Sequence, residues 1–93
     1  MNKMVTAHVL IYGRVQGVFF RMETKYKAEE HDVSGWVRNK EDGSVEAVFE
    51  GEIQNVESLI KWCREGGPPL SDVKHVDIKR EDYKKQFSSF VIV

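Results

Sequence analysis

Hydrophobic and polar positions along the chain fall into short runs of two different periods. Residues 5–12 (VTAHVLIY) are rich in β-branched and aromatic side chains and predict a first strand. From Arg21 to Asp32 (RMETKYKAEEHD) the composition favours a helix with a thin apolar face. Phe20, Thr24 and Ala28 fall on one side, with Met22 and Tyr26 beside it. Val33 to Asn39 (VSGWVRN) predicts a second strand. Alternation there puts Val33, Gly35, Val37 and Asn39 on one face and Ser34, Trp36 and Arg38 on the other. A KEDG turn leads into Ser44 to Glu50, where Val45, Ala47 and Phe49 face inward and Glu46 and Glu50 face water. Ile53, Val56, Leu59, Ile60 and Cys63 recur at helical spacing until Gly66, Gly67, Pro68 and Pro69 end the helix. Val73 to Arg80 predicts a fourth strand with Val76 and Ile78 inward. Phe87 to Val93 (FSSFVIV) predicts a last strand pairing at an edge.

The element order is βαββαβ with a short extra strand. Two βαβ units with right-handed crossovers give an antiparallel sheet with both helices on one face. The expected fold is therefore α+β, a ferredoxin-like sandwich. That fold hosts many activities, so function has to be read from particular residues.

Composition narrows the choices. A chain of 93 residues predicts one domain over 1–93. With 14 basic and 15 acidic side chains it has no basic excess to hold nucleic acid by bulk charge. No apolar run is long enough for a bilayer, and the start (MNKMVTAHVLIYG) is too short and interrupted for a signal peptide. A single cysteine, Cys63, leaves no internal disulfide and favours a reducing, cytoplasmic location. Its place on the apolar stripe of the second helix makes it a core residue. His8, His31 and His75 lie on separate elements without ligand spacing, so no metal site is expected. Trp36 and Trp62 read as packing residues, and KREDYKK (79–85) as a solvated strand end of mixed sign.

One stretch stands apart. Between the first strand and the first helix the chain reads GRVQGVFFR, Gly13 to Arg21. Gly13 and Gly17 permit backbone angles that let successive N–H groups converge on an anion. The helix that follows adds its unpaired N–H groups and positive dipole end. Arg21 at the helix start can donate two parallel bonds to phosphate oxygens. Geometry and charge point to a phosphate or carboxylate. No Lys-Ser/Thr pair follows Gly17, and the three-glycine dinucleotide pattern is absent. The plainer alternative is a turn with two solvated arginines. Asn39 has two readings as well: a turn former before KEDG, or an amide that holds a water with one donor and one acceptor.

GRVQGVFFR, SGWVRN and the DGSVE hairpin together resemble the acylphosphatase family. The likeness continues through the apolar helix, the GPP segment with its following SDV, and the closing strand. The resemblance implies a cofactor-free, metal-free hydrolase, monomeric, that splits acyl phosphates into a carboxylate and inorganic phosphate. It implies that Arg21 and Asn39 are the essential residues. It implies a phosphate loop of Arg14, Val15, Gln16, Gly17, Val18, Phe19 and Phe20. Four positions depart from the common pattern. Position 19 is Phe where many bacterial members have Gly, although other members also use Phe. His31-Asp32 replaces a Leu-Gly pair, which removes the usual helix-ending glycine. Lys40 stands where several members have Thr, which puts hydroxyl support for Asn39 in doubt.

Two rival readings fit parts of this pattern. RNA-recognition modules share the element order, but their aromatic pattern is missing from SVEAVFE. A module that binds acyl or carbamoyl phosphate without turnover, of the sort found inside hydrogenase maturation proteins, would need a larger enzyme around it.

Overall fold

The computed structural model describes residues 3–93. Met1 and Asn2, part of the start read above against a signal peptide, lie outside the described residues. The rest forms β1 (Met4–Arg14), α1 (Phe20–Glu30), β2 (Ser34–Asn39), β3 (Val45–Glu52), α2 (Ile53–Arg64), β4 (Asp72–Asp82) and β5 (Phe90–Ile92). The sheet runs β4-β1-β3-β2-β5. Helix α1 packs on β2 and β5, α2 packs on β1, β3 and β4, and the two helices touch. Ala7, Val9, Ile11, Val37, Val45, Ala47 and Phe49 form the floor under them. The thin face of α1 is the buried one: Phe20, Thr24 and Ala28. On α2 the buried residues are Val56, Leu59, Ile60 and Cys63, while Ile53 is exposed.

Three of the four strand pairings are antiparallel, but β5 joins β2 in parallel through Gly35↔Phe90 and Val37↔Ile92. The sheet is therefore mixed where a wholly antiparallel one was expected. The chain leaves β4 at one edge and returns to the opposite edge, where it runs in the direction of β2. The expected strand over residues 87–93 shrinks to three residues. The Gln86 and Phe87 N–H groups donate to the Glu50 carboxylate, at 2.9 and 3.2 Å, and not to a neighbouring strand.

Glu50 was expected on the wet face, yet it is 1% exposed. It also accepts from Thr6 Oγ1 at 2.7 Å. Three donors satisfy a carboxylate that burial would otherwise penalise heavily. The segment that crosses between β4 and β5 supplies two of them and covers this part of the sheet.

Strand β1 runs two residues beyond its expected end. After a register shift between Tyr12 and Gly13, Gly13 lies opposite Val73 and Arg14 opposite Asp72. A Cβ on Gly13 would stand 2.2 Å from the Asp72 carbonyl oxygen. Gly13 thus serves the close approach of β4, not the anion loop. At the other end of α1, Asp32 takes the left-handed conformation, with φ of 54°. Val33 N–H donates to the Ala28 carbonyl at 2.8 Å and Asp32 N–H to Glu29 at 3.3 Å. This pair of bonds is the Schellman helix end, formed here without glycine.

Candidate active site

Sheet order sets the problem that the loop after β1 must solve. Strand β3 lies between β1 and β2, and Asn39 closes β2 opposite Val45. Residues 15–19 must therefore reach over the start of β3. Val15 and Val18 point into the core and are buried, as is Phe20 at the helix start. These apolar anchors turn the intervening main chain outward. Gln16 makes the link across. Its side-chain amide donates to the carbonyls of Lys40 at 2.8 Å and Ser44 at 2.9 Å. Those two residues close the turn after Asn39, where Lys40 N–H donates to Ser44 O at 2.9 Å. Asp42 caps the turn from inside, accepting from Ser44 N–H and Ser44 Oγ. The Ser44 hydroxyl, then its N–H, hold the Asp42 carboxyl below the usual carboxylate range. Lys40 therefore contributes through its main chain. Gln16 and Asp42 stabilise the turn that carries Asn39.

The result is a cleft of about 330 Å³ lined by Val15, Gly17, Phe19, Phe20, Arg21, Met22, Asn39 and Ile92. Three kinds of polar group meet in it. The first is the start of α1. Glu23 N–H reaches the Phe19 carbonyl at 3.0 Å, but no side chain caps the helix. The N–H groups of Phe20, Arg21 and Met22 precede the first helical bond and have no carbonyl of their own. The second is the Arg21 guanidinium, which is solvent-exposed and pairs with no described residue. The third is Asn39. Its Oδ1 is buried and has no hydrogen-bond partner among the described residues. Leaving such an acceptor unmatched costs about 1–3 kcal/mol.

Backbone conformation at the cleft is unusual in two places. Gly17 has φ of 74° with open space where a Cβ would be. Phe19, at the N-cap of α1, has φ of 65° and ψ of 21°. No carboxylate or imidazole lines the cleft. Among the described residues, no group of three or more His, Cys, Asp or Glu side chains could hold a metal ion. No described helix is long and apolar enough to cross a membrane.

A family model described as Acylphosphatase matches residues 7–92. The chain belongs to the acylphosphatase family. It is 49% identical to the acylphosphatase of Pelotomaculum thermopropionicum, over 92% of each chain. The acylphosphatase structure from Coxiella burnetii superposes with a TM-score of 0.91 at 37% identity, covering 98% of this chain and 94% of that one. The Bacillus subtilis acylphosphatase gives a TM-score of 0.91 at 30% identity, covering 96% and 98%. The family is one of hydrolases that act on small acyl phosphates, and its fold is the ferredoxin-like one expected from the element order.

Of the acylphosphatase residues expected from the sequence, Val15, Gly17, Phe19, Phe20, Arg21 and Asn39 come together in the cleft. Arg14 does not line it. That residue ends β1, exposed, opposite Asp72. Val18 lies behind the loop, buried, and the Gln16 side chain is turned onto the Lys40–Ser44 turn. The bridging role of Gln16 was missed in the sequence. The only signal there was a side chain with two donors in a loop otherwise built of Gly, Val and Phe. Cys63 is fully buried, and burial pushes its thiol up to about 12. Trp62 packs on Phe20 with ring centroids 5.7 Å apart. Arg38 lies over the Trp36 ring at 5.7 Å on the uncovered sheet face.

Proposed function

We propose that the cleft binds the phosphoryl group of an acyl phosphate and directs water onto its phosphorus. The backbone N–H groups of the 15–20 loop and of the first turn of α1 face the phosphoryl oxygens. Arg21 donates to the same oxygens with its planar fork and remains charged at any working pH. Arg14, one residue before the loop, adds positive charge at its edge and draws the anion in. Asn39 Oδ1 accepts a hydrogen bond from the attacking water. The observation that carries this reading is the buried, unpartnered Asn39 Oδ1 in the same cleft as the unpaired Arg21.

These groups suffice because an acyl phosphate is already activated. Water oxygen attacks phosphorus, and the bond to the bridging acyl oxygen breaks. Its electron pair leaves on the carboxylate, a weak base that needs no proton from the protein. The water proton passes to a phosphoryl oxygen of the substrate, so no protein base is required. What remains for the protein is positioning and stabilisation of redistributed charge. The chain works as a monomer in the cytoplasm and needs no metal.

The test is hydrolysis of benzoyl phosphate by the purified protein with chelator present. Turnover persists in chelator. Arg21→Ala loses phosphate inhibition and turnover together. Asn39→Ala keeps inhibition by inorganic phosphate but loses about 10²-fold or more in kcat. Because Oδ1 is unmatched in the fold, Asn39→Ala is no less stable than the parent. Normal kcat in Asn39→Ala would remove the water-holding role.

A further inference from the structure

Beside the cleft runs a second depression of about 320 Å³, lined by Val18, Phe19, Glu23, Pro68, Pro69 and Leu70. Phe19 is the residue common to both. We infer that this groove receives the acyl group of the substrate and selects apolar, uncharged acyl chains. The inference rests on the reading of the cleft as a phosphoryl site and adds the direction in which the rest of the substrate lies.

Sheet topology supplies that direction. The loop after β1, the Asn39 end of β2, the Ile92 end of β5 and the Asp72 start of β4 all lie at one end of the sheet. Across that end, Asn39 and Ile92 stand on the β2–β5 flank. Residues 68–70 lead into β4, at the opposite edge. The anion loop lies between them. Displacement at phosphorus needs the attacking and leaving oxygens roughly in line. Water held by Asn39 on one flank therefore sends the acyl oxygen toward the other, past Phe19 and into the groove.

The groove wall has features that packing alone does not explain. Phe19 is 67% exposed and Leu70 63% exposed. A single exposed apolar side chain needs no special account. Here both line one groove with two prolines, and Phe19 also holds a left-handed conformation that disfavours any side chain. Strain and lost burial at one residue, at the mouth of a reaction cleft, mark a position kept for contact with substrate. Glu23 sets the charge preference. Glu23 lines the groove, and its carboxylate pairs with no described residue. It repels an acyl group that ends in a second carboxylate.

The test compares kcat/KM for acetyl, benzoyl and succinyl phosphate in the parent, Leu70→Ser, Phe19→Ala and Glu23→Gln. Leu70→Ser lowers the benzoyl value roughly three- to tenfold and leaves the acetyl value within about twofold, the scale of one apolar contact in a pocket. Phe19→Ala lowers the benzoyl-to-acetyl ratio at least as far. Glu23→Gln raises the succinyl value about threefold relative to acetyl, as expected when a like charge is removed. A benzoyl-to-acetyl ratio unmoved in both Leu70→Ser and Phe19→Ala, with acetyl phosphate still hydrolysed and phosphate still inhibitory, overturns the subsite alone. Failure of the parent protein to hydrolyse acetyl phosphate overturns the phosphoryl site itself.

Discussion

The side-chain amide of Gln16 donates to the main-chain oxygen of Lys40 over 2.8 Å and so fastens the anion loop to the residue after Asn39. A second bond to Ser44 at 2.9 Å uses its other hydrogen. Neither bond touches the place where phosphorus would sit. Their effect is on distance between parts: the loop after β1 and the turn that carries Asn39 are kept in fixed relation.

Gln16→Leu should therefore separate two kinetic quantities. It removes both donors and leaves two carbonyls to find water, at a stability loss of about 1–3 kcal/mol. Inhibition by inorganic phosphate, a property of the loop, changes little. The kcat value falls about tenfold or more, because a small misplacement of reacting groups is heavily penalised. Steady-state kinetics with benzoyl phosphate, beside phosphate inhibition, checks the split. Equal losses in both would mean that Gln16 shapes the loop itself.

Asp32 offers a prediction about stability without activity. It holds φ of 54° at the end of α1, where glycine carries no Cβ penalty. Asp32→Gly should raise the unfolding free energy by roughly 0.5–1 kcal/mol, since the relief of strain exceeds the entropy gained by the unfolded chain. Urea unfolding measures it. Turnover stays at the parent value, since Asp32 lies at the end of α1 away from the cleft.

Cys63 predicts a pH dependence of known sign. Burial raises its thiol to about 12 in the fold, from an ordinary value of 9.0. Between those values the folded state keeps a proton that the unfolded state has lost. Stability therefore falls as pH rises above about 9, with a limiting slope near 1.4 kcal/mol per pH unit for this one group. Cys63→Ala removes this contribution while costing something for the lost packing. Urea unfolding at pH 7.5 and 10.5 should show the parent losing more stability between the two than the variant does. Thiol alkylation at pH 8 should proceed only as fast as the protein opens.

The parts of this fold legible in the sequence are those written in local period. Alternation through Val33, Gly35, Val37 and Asn39 placed Asn39 on the helix-covered side, and its partners Val45 and Ala47 alternate to match. The spacing of Val56, Leu59, Ile60 and Cys63 gave the buried face of α2. Most of the cleft lining was legible because it is concentrated in one loop and one strand end, at Gly17, Phe19, Arg21 and Asn39. What could not be read locally was decided by residues far along the chain. Glu50 looks like a solvent residue until the N–H groups of Gln86 and Phe87 arrive to satisfy it. Gly13 looks like part of the loop until β4 comes against it. The short parallel β5 depends on where the crossing segment can land, which the apolar run FSSFVIV does not encode.

The position of β1 has a consequence for how the protein is made. Strand β1 is flanked by β3 and β4, and β4 begins only at Asp72, far along the chain. The last strand closes the flank next to Asn39, with Val93 N–H donating to the Val37 carbonyl at 3.0 Å. A growing chain therefore has residues 15–20 in hand before β4 but cannot set them in place until β4 and β5 have emerged. Such distant pairings slow folding relative to helical proteins of the same size. The cleft is accordingly among the last parts to form, and a nascent or truncated chain that lacks β4 and β5 carries Arg21 and Asn39 without the cleft that Ile92 helps to line.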